Sequence, residues 1–412
     1  MKIWRVPYPK FGTGPGLARV AAIAARLGLD LAGFGADAAV IVGSNGKGST
    51  AAMTAALLAQ TGAGVGLFTS PHLFALNERF AIDGECISDA ELALHWARVA
   101  AATEIHLKGK DEQLGGFEFL FLIAAAWFAA RGCAYTVWEA GIGGRLDPVR
   151  LIQARRLALT SLDYEHTELL GNTLEDIARD KLDAAPSGAT VYVGASCAPL
   201  REAIETHCAA RGVRPVFAPP APESWRPALA GAHQRANAAL AVGLAGDAIG
   251  NPLSADLIAR GLAGARWPGR LEILATEPLT VIDVGHTPAA VRAALEGFNR
   301  MRAAAPGVLV CGVSIDKQAA GILDTLAPAF ASIICTRARH KGAAPAGIAK
   351  LAAAAHPGAK IMLADSVAEA RTLALAQAKV SGAAVYVAGG LFLAAEFRAV
   401  HLGRDPAAIV FF

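Results

Sequence analysis

Apolar residues along this chain come in short runs closed by glycine turns, and longer alanine-rich stretches with helical spacing follow them. Ala38–Val42 is an unbroken apolar run, which predicts a strand buried on both faces. Residues 48–60 predict a helix, with Gly62 suited to its C-cap. Residues 135–138 and 157–162 predict two further strands, and Thr173 opens a capped helix with Asp176 at the capping-box position. From about residue 273 a second series begins, with strands predicted at Leu279–Ile282, 308–311, 333–335, 361–363 and 385–387. Strands alternating with helices imply mainly parallel sheets with right-handed crossovers, so the predicted fold class is α/β. The Pro-rich segment 215–227 predicts a surface loop.

Composition sharpens this picture. With 412 residues the chain is too long for one ordinary domain. Hydrophobic residues make up 54% and charged residues 18%, enough for a large core, and the abundance of alanine favours closely packed helices. Net charge is +3 with no Lys/Arg block, so a nucleic-acid partner is not expected. None of the six cysteines has metal-ligand spacing, which suits reduced thiols in a cytoplasmic protein. The first residues have no apolar signal core, and no run of about 18 uncharged apolar residues occurs, so no membrane span is expected.

The chemistry is densest just after the first predicted strand, at Gly43-Ser44-Asn45-Gly46-Lys47-Gly48-Ser49-Thr50. Glycines let backbone N–H groups turn inward around an anion, and the following helix N-terminus adds a favourable dipole. Lys47 offers a point charge to the outer phosphates, and Ser49 a hydroxyl placed to ligate Mg²⁺. The spacing differs from the usual Gly-four-residues-Gly-Lys form. The order strand, Gly-rich turn, Lys, hydroxyl, helix carries the reading. The link Arg266-Trp267-Pro268-Gly269-Arg270-Leu271-Glu272 marks a boundary. Residues 1–272 are therefore expected to form a phosphate-loop ATPase-type domain with a mainly parallel sheet. Residues 273–412 are expected to form a smaller Rossmann-like α/β domain.

Further motifs recur in order: Thr69-Ser70-Pro71-His72-Leu73, Asn77-Glu78-Arg79, Glu139-Ala140-Gly141-Ile142-Gly143-Gly144-Arg145-Leu146-Asp147, and His166-Thr167-Glu168. Lys181, His233-Gln234 with Asn237, the Trp-Pro-Gly-Arg link, Asp283 with His286, and Asp316-Lys317 complete the series. Together they resemble the folylpolyglutamate and dihydrofolate synthases of the Mur ligase superfamily. That resemblance implies an ATP-dependent, ADP-forming ligase that activates a carboxylate as an acyl phosphate and joins it to an amino acid.

The resemblance also implies roles. Asn45, Gly46, Lys47, Gly48, Ser49 and Thr50 would cradle ATP. Asn237 would read the adenine, Arg270 would clamp the γ-phosphate, and Asp283 would close on the nucleotide. Ser49, Ser70 and Glu139 would hold the ATP-linked Mg²⁺. His166 and Lys181, the latter carbamoylated, would hold a second Mg²⁺. Lys47, Lys181, Arg270 and His286 are the expected catalytic groups, and Phe117, Asp147 and Arg150 are expected at the acid substrate. A monomer with a small-molecule carboxylate and an amino acid as partners is implied, with no nucleic acid and no membrane.

The sequence departs from the family at Gly115, Arg150, Thr287 and Gly390. These departures fall where substrates are expected, so two alternatives stand beside the folate-type ligase. One is a divergent ligase for another amino acid or another pterin-like or aryl acid. The other is a nucleotide-binding protein that no longer ligates.

Overall fold

The computed structural model describes residues 2–411, arranged around two sheets. The first sheet is built from β1 (Ala38–Val42), β2 (Val65–Phe68), β3 (Phe80–Ile82), β4 (Glu85–Cys86), β5 (Tyr135–Glu139), β6 (Arg156–Leu159), β7 (Thr190–Val193) and β8 (Arg214–Phe217). Its order is β4-β3-β2-β5-β1-β6-β7-β8, parallel except for the β2-β3-β4 edge. β1 pairs with β5 on one side and β6 on the other, so the chain reverses direction across the sheet at β1. In open α/β sheets, ligands bind beyond the strand carboxyl ends at such a reversal.

The second sheet comprises β9 (Glu272–Thr276), β10 (Leu279–Ile282), β11 (Gly307–Cys311), β12 (Ser332–Cys335), β13 (Lys360–Leu363) and β14 (Ala384–Ala388), in the order β13-β12-β11-β14-β10-β9. It is parallel except for β9, an antiparallel edge. β1 and β14 are buried along their whole length, as continuous apolar runs require when helices cover both faces. Each sheet separates two apolar clusters, one per face.

Three details differ from expectation. β8 takes in the start of the Pro-rich segment, because an edge strand tolerates Pro215 on its unpaired side. β6 stops at Leu159, and the residues after it turn back toward the loop that follows β1. β2, β7, the β3-β4 hairpin and β9 were not anticipated, and in β9 Ile273 is half exposed, so no continuous apolar run marks it. By contrast, Thr173 caps its helix as expected, accepting from Asp176 N, with the helix at Leu174–Leu182.

The two sheets meet at the 266–272 link. Gly269 is buried at φ +78, and a Cβ there would lie 2.7 Å from Val284 Cγ1 and 3.0 Å from Leu73 Cδ1. The backbone is left-handed and the space is filled from both sheets, so only glycine fits without strain. Gly269→Ala is expected to destabilise the protein by about 2 kcal/mol or more. Chemical denaturation should read this as a lower midpoint at unchanged slope; an unaltered midpoint would refute the packing argument.

Candidate active site

The loop after β1 is tied to the segment after β6. Asn45 N donates to Ser161 Oγ at 2.8 Å, while Thr160 Oγ1 and Ser161 Oγ donate to Asn45 O at 2.6 and 3.0 Å. Gly46, at φ +87, is the N-cap of the helix Lys47–Ala59, and a Cβ there would strike Asn237 Oδ1. The loop therefore needs glycine both for its turn and for the approach of Asn237. Lys47 folds over the loop and donates to Gly43 O at 2.7 Å. Gln234 Nε2 donates to Ser49 Oγ at 3.3 Å, and Asn237 Nδ2 donates to Gln234 Oε1 at 3.0 Å. The indole of Trp267 covers Gly48.

Three buried polar atoms on these residues and their neighbours, Thr50 Oγ1, Trp267 Nε1 and His233 Nδ1, have no hydrogen-bond partner. Buried polar groups are normally satisfied, so these leave hydrogen-bonding capacity beside the loop. Backbone N–H groups at the helix start, Lys47 and the unsatisfied groups together suit a polyphosphate nucleotide.

Glu139 ends β5 beside the loop. It is only 4% exposed, and Oε2 accepts from Ser70 N at 3.0 Å. Burial raises its pKa, and Lys47, Arg270 and Arg79 oppose the rise. Ser49, Ser70 and Glu139 offer oxygen donors, the kind Mg²⁺ prefers. Arg270, on the link between the sheets, faces both Glu139 and the buried Asp283 at the end of β10. Asp283 in turn accepts from Leu271 N and Gly285 N at 3.0 and 2.7 Å. Groups from both sheets thus converge on the loop.

The helix Leu174–Leu182 carries Lys181, 1% exposed, whose Nζ donates to Glu165 Oε1 at 2.8 Å. Burial and Lys47 lower the Lys181 pKa. Burial alone would raise Glu165, but Lys47, Lys181 and hydrogen bonds bring it down to about 2. An ammonium cannot ligate a metal, so in this state Lys181 is an ion-pair partner. His166 sits beside Glu165 and Glu168 with its pKa lowered by burial. Among the described residues, no three His, Cys, Asp or Glu side chains cluster as a ready-made metal site. A second metal ion held by His166 and Lys181, as the resemblance implies, would therefore fit only once Lys181 becomes an anion.

Two residues expected at the acid substrate make hydrogen bonds within their own loop. Asp147 is buried and its carboxylate is committed to its own turn, accepting from Gly141 N, Ile142 N and Val149 N at 2.9, 3.1 and 3.0 Å. It holds the 141–149 loop. Arg150 donates to Arg145 O at 2.9 Å. Phe117 lies against Gly141 and Phe68. Glu165, Arg79, Gln234 and Trp267 were not among the expected site residues; Arg79 and Gln234 lie inside motifs quoted above, and Glu165 immediately precedes His166.

A phosphate loop at a sheet reversal, with Arg270 from the link and Asp283 from the second sheet brought into its charge network, is the arrangement expected of an ATP-using ligase. Comparison with known proteins agrees. Residues 269–391 match the family described as "Mur ligase, glutamate ligase domain". The dihydrofolate synthase/folylpolyglutamate synthase of Bacillus subtilis is 32% identical over 324 residues, covering 71% of this chain and 74% of that protein. A probable bifunctional folylpolyglutamate synthase/dihydropteroate synthase of Halobacterium salinarum is 35% identical over 311 residues, and the match spans 70% of this chain but only 38% of that relative. The Mycobacterium tuberculosis folylpolyglutamate synthase, solved with ADP and AMPPCP, superposes with a TM-score of 0.86 at 25% identity, over 95% of this chain and 96% of that one. The chain belongs to the folylpolyglutamate/dihydrofolate synthase family of Mur-type ligases.

His286 follows β10, and burial, then Lys317, Arg270 and Lys47, lower its pKa to about 4. Its unfolded counterpart titrates near 6.5, so on acidification the unfolded chain takes the proton first. Stability is lost as pH falls from about 6.5 toward about 4. At pH 5 this one group is expected to cost about 2 kcal/mol relative to pH 8. Unfolding curves of wild type and His286→Gln should diverge by that amount on acidification; parallel pH profiles would contradict the burial of a neutral imidazole.

Proposed function

We propose that this protein is an ATP- and Mg²⁺-dependent ligase joining the carboxylate of a folate- or pteroate-type acid to glutamate. The observation that carries this is the convergence of Lys47, Glu139, Arg270 and Asp283, drawn from both sheets, on one phosphate-binding loop. A carboxylate oxygen attacks the γ-phosphorus of ATP, the bond to the β–γ bridging oxygen breaks, and ADP leaves. The amine then attacks the acyl carbon, the C–O bond to phosphate breaks, and the amine's proton is released as the amide forms.

Lys47 and Arg270 offset the repulsion between the two anions and hold them in line, where effective molarities reach roughly 10⁵ M or more. Mg²⁺ held by Ser49, Ser70 and Glu139 would add charge neutralisation at the phosphates. Asn237, set by Gln234, offers an amide to the adenine. His286 stays neutral at physiological pH and would act as an orienting group. With a pKa of about 4 it is a weak base for the amine's proton. The residues 1–272 serve the nucleotide in this reading, and 273–412 the amino acid.

Lys181 is proposed as the carbamoylated ligand of a second Mg²⁺ together with His166. Carbon dioxide reacts with neutral amines, and burial beside Lys47 favours the neutral form. A second reading, a different amino acid or acid, draws support from Gly390. Its φ of +151 places it where an L side chain is strained, and the serine of the family pattern is absent there.

Lys47→Ala should abolish ADP release with dihydropteroate or tetrahydrofolate plus glutamate; retained turnover would reject the site. Release with those acids and glutamate supports the first reading, and release only with other acids or amino acids supports the second. Assays in buffers stripped of carbon dioxide should lose activity and regain it with bicarbonate. Indifference to bicarbonate would remove Lys181 from the metal's ligands.

A further inference from the structure

The segment 69–79 carries Ser70 to Glu139, and it is closed on itself. Thr69 N donates to Arg79 O at 3.0 Å, and the Glu78 carboxylate gathers the N–H groups of Leu73, Phe74 and Ala75. At its centre His72 is 2% exposed. Its Nδ1 accepts from Arg79 Nε at 2.9 Å, which leaves the proton on Nε2, and Nε2 donates to Val410 O at 2.9 Å. Arg79 in turn is buried with its charge directed at Glu139.

The other end of this chain of contacts belongs to the segment 404–411. The ring of Phe411 stacks on His72 at 5.2 Å and 7°. The same ring touches Phe392 at 4.7 Å and His340 at 5.3 Å, both from the second sheet's side of the molecule. Arg404 lies over the ring of Phe74 at 4.9 Å. Leu73 is packed into an apolar cluster of the second sheet, and Ile409 and Phe411 pack against that cluster. The 69–79 loop is thus gripped from outside by residues some 330 positions away in the chain (His72 to Val410, |i−j| = 338).

From this geometry we propose that segment 404–411 is a clasp and His72 a positioning residue: together they hold Arg79 and Ser70 against Glu139 and so preset the nucleotide-linked metal site. The metal half of this inference rests on the proposed function; the clasp itself does not. Partners that orient metal ligands from outside typically change metal affinity by about 10–100-fold when removed. His72→Gln is the conservative variant, since its amide can donate to Val410 O and accept from Arg79.

Two measurements on the full-length chain test it. In hydrogen–deuterium exchange of the nucleotide-free protein, Phe411→Ala and His72→Ala should speed exchange at residues 69–79, while His72→Gln and the exposed-surface control Val380→Ala should not. Unchanged exchange at 69–79 in Phe411→Ala overturns the clasp. In Mn²⁺ titrations with ADP present, read by electron paramagnetic resonance, Phe411→Ala and His72→Ala should weaken Mn²⁺ by about tenfold or more, with His72→Gln near wild type. Faster exchange with unaltered Mn²⁺ affinity overturns the positioning role alone. A wild-type protein that takes up no Mn²⁺ with ADP overturns the proposed function and the positioning role, and the exchange measurement still decides the clasp.

Discussion

A carboxylate at the buried end of a strand is the constraint from which the active region follows. Glu139 terminates β5 almost without solvent, and a lone anion there would be costly. The structure answers with one backbone N–H and three cations from three different places. Lys47 comes from the glycine loop, Arg79 from the closed segment beyond β2, and Arg270 from the link between sheets. Each of those segments has its path fixed by the need to deliver its charge. The second sheet is therefore tied to the first through electrostatics as well as through the packing of Leu73, Gly269 and Val284.

The elements legible in the sequence were those whose signal is local. β1 carries an unbroken apolar run and β10 a mainly apolar one, and the structure gives both the expected bounds. The loop at 43–50 could be read because its glycines, lysine and hydroxyls are contiguous. β4 and β9 were hidden, because these edge strands expose one side and lack a continuous apolar run. Glu165 was hidden for another reason: its meaning comes from Lys181 and Lys47, which are distant in sequence. Asp147 is expected at the substrate from a conspicuous motif, and what the sequence does not reveal is that its oxygens also hold the backbone that presents the motif.

The alanine-rich composition acquires a purpose in the packing of helix Lys47–Ala59 against helix Ala232–Ile249. Ala51, Ala238, Ala241 and Ala245 are buried in the same cluster, and small side chains let the two axes approach closely. That approach brings Gln234 to Ser49 and Asn237 to Gly46. Core composition and ligand recognition are thus one problem in this region, since bulk added along the seam would withdraw the amides from the loop.

The ion pair between Lys181 and Glu165 bears on the proposed carbamoylation. Turning the ammonium into a carbamate swings one partner from cation to anion while its neighbour stays an anion. Attraction across 2.8 Å becomes repulsion in a water-poor pocket, unless a divalent ion arrives to sit between them. Under the proposed carbamoylation, modification and metal loading would be a single coupled equilibrium. In the proposed reading the lysine would act as a bolt, drawn only when carbon dioxide and the cation are present together.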